Sequence, residues 1–351
     1  MTGKKIILLI LLISISTAIF AYLRFFPDSI KENTNISKIK QKQESIPLSI
    51  EYMRKQEYPG SEIIIEQALP DGSNYSRYIA SYKSEGLKIY ALLTVPLDKK
   101  PENGFPVIIF NHGYIAPAEY RTTERYAAYT DAFSRNGYVV FRPDYRGHGD
   151  SEGRPDGAYY SPAYTIDVLN AVASIKRLKD PLIGSGEVIN SQKIGMWGHS
   201  MGGSITLRSM VTTTDVKAGV IWAGVVASYE DMAKNWRRST PWVPSQREQA
   251  FRRPGRQALI DKYGDFDKNP EFWNSISPIS FVKDVSGPIQ LHHGTSDDDV
   301  PVLFSQKLEE ALKKENKTVE IYTYPGDDHN ISQNLSLALQ RSVDFFNKNL
   351  K

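Results

Sequence analysis

Apolar and polar positions along the chain follow two patterns, and the first of these is a series of short β-rich stretches. The stretches lie at 63–65, 75–82 and 87–95, separated by the turn sequences Pro70-Asp71-Gly72 and Glu85-Gly86. Short strands joined by tight turns are typical of an antiparallel meander. We therefore expect the folded domain to begin with three antiparallel strands.

After Pro106 the pattern changes to apolar runs that alternate with amphipathic segments. Runs of the length of buried parallel strands lie at 107–110, 138–141, 193–197, 218–223, 289–292 and 319–324. Helical periodicity appears at 119–135, 162–179, 202–210, 302–314 and 331–349. This alternation predicts an α/β fold with a mainly parallel, doubly wound sheet, helices on both faces and ligands at the carboxyl ends of the strands.

One interval between two predicted strands is longer than a single connecting helix requires. About sixty residues, 225–285, separate the runs at 218–223 and 289–292. An excess of this length is typical of a cap or lid. Seven Lys or Arg face a single acid, Glu248, between positions 234 and 256. The candidate substrate-binding side chains in this segment are Trp236, Arg237, Arg238 and Trp242; a solvated basic surface is the alternative.

The N-terminal region has a different composition from the rest of the chain. Ile6 to Leu23 carry no charge and follow Lys4 and Lys5. This length is at the lower limit for a spanning helix, and the lysines favour a cytoplasmic N-terminus. We predict a single transmembrane anchor over 1–27, with the folded domain, 47–351, outside the cytoplasm. A cleaved secretion signal and a buried helix are the alternatives.

Residues 28–46 are polar and show neither helical nor strand periodicity, which indicates a tether. The net charge of the 351-residue chain is only +3, so we expect no nucleic-acid partner. Cysteine is absent, which excludes disulfides, Cys-ligated zinc and thiol nucleophiles. The acidic triplet 297–299 lacks the spacing of a calcium loop. The sequence predicts neither a cofactor nor a metal.

The sequence Gly198-His199-Ser200-Met201-Gly202 directly follows the strand predicted at 193–197 and opens a helix. A G-x-S-x-G motif between strand and helix is typical of a nucleophile elbow. Alone it is a weak signal, because glycine and serine are common. A serine hydroxyl also needs a general base and a group that orients the base. We predict that Ser200 is the nucleophile.

The general base must come from six histidines. His329 lies in the loop after the last predicted strand, where the chain order serine, acid, histidine requires the base. His199 adjoins Ser200 and is expected to point away along the turn. Three acids compete in the loop at 297–299, and each could instead only favour the N-terminus of the following helix.

A tetrahedral intermediate needs two backbone donors for its oxyanion. One is expected to be the amide of Met201, directly after the nucleophile. The other is expected to be the amide of Tyr114, in the loop that leaves the strand at 107–110. The alternative is that His112-Gly113 forms only a turn.

Taken together, these motifs resemble those of the prolyl oligopeptidase family of serine peptidases. The resemblance extends from about Tyr75 to the C-terminus and implies the α/β-hydrolase fold. The matching pieces are Asn111-His112-Gly113, Asp144-Tyr145-Arg146-Gly147-His148-Gly149-Asp150-Ser151, Gly198-His199-Ser200-Met201-Gly202-Gly203, His293-Gly294-Thr295-Ser296-Asp297 with Val300-Pro301, and Pro325-Gly326-Asp327-Asp328-His329. The resemblance selects Asp297 as the acid, with Asp299 as runner-up, and implies that 146–148 stabilise a loop beside the site.

The resemblance has one departure. Larger members of the family carry a β-propeller before the catalytic domain, and only about forty-five residues separate the predicted anchor from the resemblance. We therefore expect 225–285 to shape the pocket. We predict a serine hydrolase that cleaves an ester or an amide or peptide bond, in a small molecule or a peptide, through an acyl-enzyme on Ser200. An acyltransferase with the same triad and a non-catalytic binding module are the alternatives.

Overall fold

A computed structural model describes residues 46–156, 159–179, 188–236 and 255–351. The chain divides into two units, 1–46 and 47–351. No helix in the described ranges is long and apolar enough to cross a membrane. The predicted anchor at 1–27 and tether at 28–46, with the exception of Ile46, lie outside those ranges. So do Arg237, Arg238 and Trp242, and all of these assignments stay predictions.

The second unit is built on one nine-stranded sheet. Its strands are β1 (Ile64–Leu69), β2 (Tyr75–Ser84), β3 (Leu87–Pro96), β4 (Phe105–Asn111), β5 (Val139–Pro143), β6 (Ile189–His199), β7 (Val216–Trp222), β8 (Ile289–Gly294) and β9 (Val319–Tyr324). They lie in the order β1-β2-β3-β5-β4-β6-β7-β8-β9. Strands β1, β2, β3 and β5 pair antiparallel, and all pairs from β5 to β9 are parallel. The predicted meander and the mainly parallel sheet are confirmed.

Nine α-helices and one 3-10 helix are assigned within the described ranges. The α-helices are α1 (Ile50–Arg54), α2 (Ala127–Arg135), α3 (Ala163–Ile175), α4 (Met201–Thr212), α5 (Tyr229–Asn235), α6 (Arg256–Tyr263), α7 (Pro270–Ile276), α8 (Leu303–Lys314) and α9 (Leu335–Leu350), and the 3-10 helix is Pro278–Asp284. Helices α5 to α7 and the 3-10 helix occupy the described part of 225–285. The assignment of that segment as a lid stays a prediction.

The helix predicted over 119–135 is wrong in its first half, because α2 begins only at Ala127. Arg125 and Tyr126 have φ angles of 55° and 53°. These left-handed conformations cost energy for residues with a β-carbon and cannot continue a right-handed helix. The residues before Ala127 therefore form turns and bends and not a helix.

Apolar side chains of the parallel strands alternate between two covered faces. Phe110 and Trp197 pack on one face in the same cluster as Phe133 of α2 and Phe346 of α9. Helix α4 covers the opposite face, where a β-carbon on its Gly203 would approach Ile221 to 2.7 Å. The sheet is therefore covered on both sides, as predicted. Because the parallel strands run the same way, the loops after β4, β6, β8 and β9 meet at one edge.

Candidate active site

Ser200 lies on a strained turn between β6 and α4. Its φ of 55° and ψ of −116° are unfavourable for a residue with a β-carbon. Backbone hydrogen bonds hold this conformation: the Ser200 amide donates to Trp222, and its carbonyl accepts from Gly203 and Val225, at 2.9 to 3.1 Å. Backbone strain of this kind is concentrated at functional sites.

Two glycines of the motif are required by close approach of neighbouring atoms. A β-carbon on Gly202 would lie 2.0 Å from the carbonyl oxygen of Asn111, and one on Gly198 would lie 2.3 Å from Thr206 Oγ1. Helix α4 can therefore begin directly against the end of β4. The loop after β4 then reaches the serine, because a β-carbon on Gly113 would lie 3.3 Å from the Cβ of Ser200.

The side chain of Asp297 is 1% exposed and is surrounded by four donors. Oδ1 accepts the amides of Asp299 and Val300 at 2.8 and 2.9 Å. Oδ2 accepts His329 Nδ1 at 2.7 Å and lies 3.1 Å from His293 Nε2. Burial by itself raises the pKa of Asp297, but the bonds from His293 and His329 outweigh it and hold this pKa below its usual range.

This contact fixes the orientation of His329. An ionised carboxylate only accepts hydrogen bonds, so Nδ1 of His329 carries the hydrogen and Nε2 is the basic atom. Asp327 stabilises the loop that carries His329, because its buried carboxylate accepts the backbone amides of Asp328, Gln333 and Asn334. The contact with Asp297 therefore fixes the orientation of the His329 ring, and the hydrogen bonds of Asp327 fix the backbone that carries it.

The other acids of the triplet at 297–299 do not occupy this position. Asp298 and Asp299 are exposed, whereas the carboxylate that contacts His329 is that of Asp297. The carbonyl of Asp299 accepts Nε1 of Trp236 at 2.7 Å, which brings this indole to the loop after β8. Within the described part of the chain, no group of three or more His, Asp or Glu is arranged to hold a metal ion.

A partly buried hydrogen-bond chain links three loops around Ser200. The amide of Gly113 donates to the Tyr126 hydroxyl at 2.9 Å, and this hydroxyl lies 2.8 Å from His199 Nδ1. His199 Nε2 lies 2.9 Å from the carbonyl of His329. Because a carbonyl only accepts, His199 carries its hydrogen on Nε2, and Tyr126 donates to Nδ1. We name these contacts the Tyr126–His199 chain.

The expectation that His199 points away from the site is wrong. Its ring centroid lies 4.6 Å from that of His329. Burial, with a smaller contribution from the neighbouring His329, lowers the pKa of His199 to about 3, so the ring is neutral at physiological pH. The motif did not reveal this role, because the partner hydroxyl comes from a residue 73 positions away.

Side chains following β5 hold the loop after β4. The carboxylate of Asp144 accepts the hydroxyls of Tyr120 and Thr122 at 3.0 and 2.6 Å. The ring of His112 stacks between Tyr120 and Tyr145, with centroid distances of 4.5 and 4.3 Å. These contacts place Gly113 and the exposed Tyr114 beside the serine.

Arg146 has contacts of the kind expected for a residue that stabilises a loop. Its guanidinium group lies 2.7 Å from Asp167 Oδ1 and 2.8 Å from Glu85 Oε2. Its amide donates to Asp167 Oδ2 at 2.9 Å. The loop that begins at Asp144 is thereby anchored to α3.

Residues 125–351 match the model of the prolyl oligopeptidase family. The chain belongs to this family. Family members and structural neighbours are peptidases and esterases of the α/β-hydrolase fold, and the protein is therefore a serine hydrolase of the peptidase or esterase type.

Three similar proteins illustrate the range of the family and the fold. The uncharacterized peptidase YtmA of Bacillus subtilis is 24% identical over 295 residues, covering 82% of this chain and 99% of YtmA. The acylaminoacyl peptidase of Pyrococcus horikoshii has a TM-score of 0.59 and 23% identity, over 80% of this chain and 42% of that one. The acetyl xylan esterase of Paenibacillus sp. R4 has a TM-score of 0.59 and 15% identity, over 86% and 92%. The chain thus spans less than half of the peptidase structure.

Proposed function

We propose that this serine hydrolase cleaves an acyl ester or an amide bond through an acyl-enzyme formed on Ser200. The observation that carries the proposal is the 2.7 Å contact between His329 Nδ1 and the buried Asp297, beside the strained turn of Ser200. This is the arrangement that activates a serine hydroxyl.

In the proposed first step, Ser200 Oγ attacks the acyl carbonyl and Nε2 of His329 takes its proton. The same nitrogen then gives this proton to the leaving alcohol or amine, as the bond to the acyl carbon breaks. Water next gives a proton to Nε2 of His329 and attacks the acyl carbon, and His329 passes this proton to Ser200 Oγ as the bond from Oγ to the acyl carbon breaks, which releases the carboxylic acid and free Ser200. Asp297 stays ionised throughout and stabilises the imidazolium.

The proposed oxyanion donors are the amides of Met201 and Tyr114. Met201 is the first residue of α4, so its amide lies at the positive end of the helix. The amide of Gly113 donates to Tyr126, so we place the second donor at Tyr114, the next residue of the loop that lies beside the serine. One such donor typically contributes about a hundredfold to a thousandfold in rate.

The proposed substrate is a small molecule or a peptide. Trp236 lies in an aromatic group with Tyr159 and Phe304, at ring-centroid distances of 5.5 and 6.1 Å. An aromatic surface beside the loop that carries Asp297 favours an apolar or aromatic part of the substrate. The basic residues of 237–254 remain candidates for an anionic part.

A substrate panel tests the proposal. The full-length protein is assayed with short and long acyl nitrophenyl esters and with aminoacyl and prolyl anilides, with and without an added alcohol acceptor. We expect turnover of at least one class, labelling of Ser200 by a fluorophosphonate, and loss of both in Ser200→Ala with native circular dichroism. Labelling that persists in Ser200→Ala contradicts the assignment, and acyl transfer to the alcohol in preference to water indicates an acyltransferase.

We also propose that residues 1–27 anchor the protein in a membrane with the hydrolase domain outside the cytoplasm. The uncharged run from Ile6 to Leu23 after two lysines supports this. The protein is expected to sediment with membranes and to resist carbonate extraction. Protease added to intact cells should digest the domain, and protection until lysis contradicts the orientation.

A further inference from the structure

A cavity of about 350 Å³ lies between the start of α2 and the antiparallel part of the sheet. Two arginines reach it from one face of the sheet. Leu92 pairs with Arg142 and Thr94 pairs with Arg77, and side chains two apart on β3 share a face. Helix α2 covers this face, since Thr94 Oγ1 lies 2.7 Å from Ser134 Oγ. The cavity shares no residue with the proposed active site.

The side chains around the cavity carry an excess of positive charge. Three arginines are among the residues that line it, Arg77, Arg125 and Arg142, with Asp131 as the single acidic residue. That carboxylate already accepts the Tyr75 hydroxyl at 3.0 Å. Arg54, Arg135 and Arg146, by contrast, form ion pairs within the described ranges. None of the three cavity arginines has a carboxylate partner there.

Two buried polar atoms at the cavity wall have no hydrogen-bond partner among the described residues. They are Nε of Arg142 and Oγ1 of Thr130, and these two residues are 1% and 5% exposed. The other nitrogens of Arg142 donate to the carbonyls of Thr122, Glu124 and Arg125. Arg142 also interacts electrostatically with the buried Asp144, and a further anion beside this buried charge would add to its stabilisation.

The N-terminus of α2 adds to the positive electrostatic potential in the cavity. This nine-residue helix has no side-chain cap and no acidic residue in its first turn. Ala127 and Ala128, its first two residues, line the cavity. An uncapped N-terminus presents backbone amides and the positive end of the helix dipole, and both favour an anion.

We propose that this cavity binds a small molecule through a phosphate group. Two excess positive charges match a phosphate dianion, and guanidinium groups bind phosphate oxygens in pairs. The volume leaves room for further atoms beyond the phosphate, as in typical small-ligand pockets of about 300 to 1,000 Å³. The ligand class is therefore a phosphate monoester or inorganic phosphate.

Calorimetric titration of the full-length protein with inorganic phosphate tests the proposal without any substrate of the hydrolase. We expect saturable binding and a phosphate-dependent rise in Tm that sodium chloride at equal ionic strength does not give. Arg77→Gln and Arg125→Gln should each weaken phosphate binding about tenfold, because each removes a charged donor. Arg142 is left intact, since it also braces the loop before Tyr126.

Two further variants separate binding from general damage to the fold. Asp131→Asn removes the opposing carboxylate and should strengthen phosphate binding several-fold, a gain that structural damage cannot produce. Arg121→Gln changes an exposed arginine of the same loop that does not line the cavity, and should leave binding unchanged.

Glycerol phosphate and succinate complete the test. Tighter binding of glycerol phosphate than of inorganic phosphate identifies a monoester as the ligand class. Succinate binding in the absence of phosphate binding overturns the proposal in favour of a carboxylate. The absence of saturable phosphate binding, or equal affinities of wild type, Arg77→Gln and Asp131→Asn, also overturns it. None of these results depends on the assignment of Ser200.

Discussion

Two buried carboxyl groups support loops around the proposed active site, and the fold shifts their pKa values in opposite directions. Asp297 lies after β8 and accepts two backbone amides and His329, with His293 beside it. Asp144 lies after β5 and accepts the hydroxyls of Tyr120 and Thr122. The pKa of Asp297 is held below its usual range, whereas burial raises the pKa of Asp144 to about 7 against the opposing effect of its partners.

The difference follows from the donors. Amides and the imidazole groups that face Asp297 favour its ionised form strongly enough to outweigh desolvation. Hydroxyls can also accept hydrogen bonds, so a protonated Asp144 keeps its contacts with Tyr120 and Thr122. We infer that Asp297 supplies a fixed negative charge beside His329. We also infer that Asp144 holds its loop through hydrogen bonds that do not require a negative charge.

The largest expected effect is on activity at Asp297. Asp297→Asn should lower kcat about ten-thousandfold, because the amide no longer holds His329 in the required tautomer. Steady-state kinetics at neutral pH, with circular dichroism as a check on folding, measures this. Asp299→Asn changes an exposed carboxylate of the same loop and is the control. A larger loss in Asp299→Asn than in Asp297→Asn would show that the acid is wrongly assigned.

The second largest expected effect is on kcat and concerns the Tyr126–His199 chain. This chain joins the loop after β4 to the loop that carries His329. Tyr126→Phe removes the hydroxyl between Gly113 and His199 and leaves a buried amide without its acceptor. Such a loss costs about 1 to 3 kcal/mol, so kcat should fall about tenfold to a hundredfold with little change in KM. Tyr129→Phe, which removes a hydroxyl bonded to the Asn330 carbonyl, is the matched control. Equal kinetics of the two variants would argue against a positioning role for Tyr126.

A smaller effect is the pH dependence of stability contributed by Asp144. Its folded pKa of about 7 exceeds the ordinary value, so the folded state retains a proton that the unfolded state releases. The free energy of unfolding should therefore fall as the pH rises from about 4 to about 7. Asp144→Asn should remove this slope in urea unfolding curves, whereas Asp150→Asn, a change at a nearby exposed carboxylate, should keep it. An unchanged slope in Asp144→Asn would mean that Asp144 is ionised throughout.

The smallest effect has the opposite sign and comes from Asp297. Because its folded pKa lies below the ordinary value of about 3.9, its stabilisation is present above that pH and is lost as the pH falls below it. Acid titration of the unfolding free energy should show a shallower decline in Asp297→Asn than in wild type. If the unfolding free energies of wild type and Asp297→Asn fall equally with decreasing pH, other carboxylates dominate acid unfolding.

Most of the fold could be predicted from local sequence patterns. Apolar runs and turn residues placed all nine strands, because strand burial and tight turns leave a signal within a few residues. The helix before β5 was placed wrongly at its start, because the left-handed conformations of Arg125 and Tyr126 are imposed by distant contacts. Arg142 on β5 holds the carbonyls of this loop, and no local pattern encodes that.

By itself, the sequence determined the α/β order, the Ser200 motif and the place of His329, since these depend on short motifs and chain order. Tertiary structure decided which acid contacts His329, the inward position of His199 and its link to Tyr126, and the opposite pKa shifts of Asp144 and Asp297. These features depend on donors from separate loops meeting at one sheet edge and on the exclusion of water there. Only the folded chain sets both distances and burial, and these two quantities fix hydrogen bonds and pKa values.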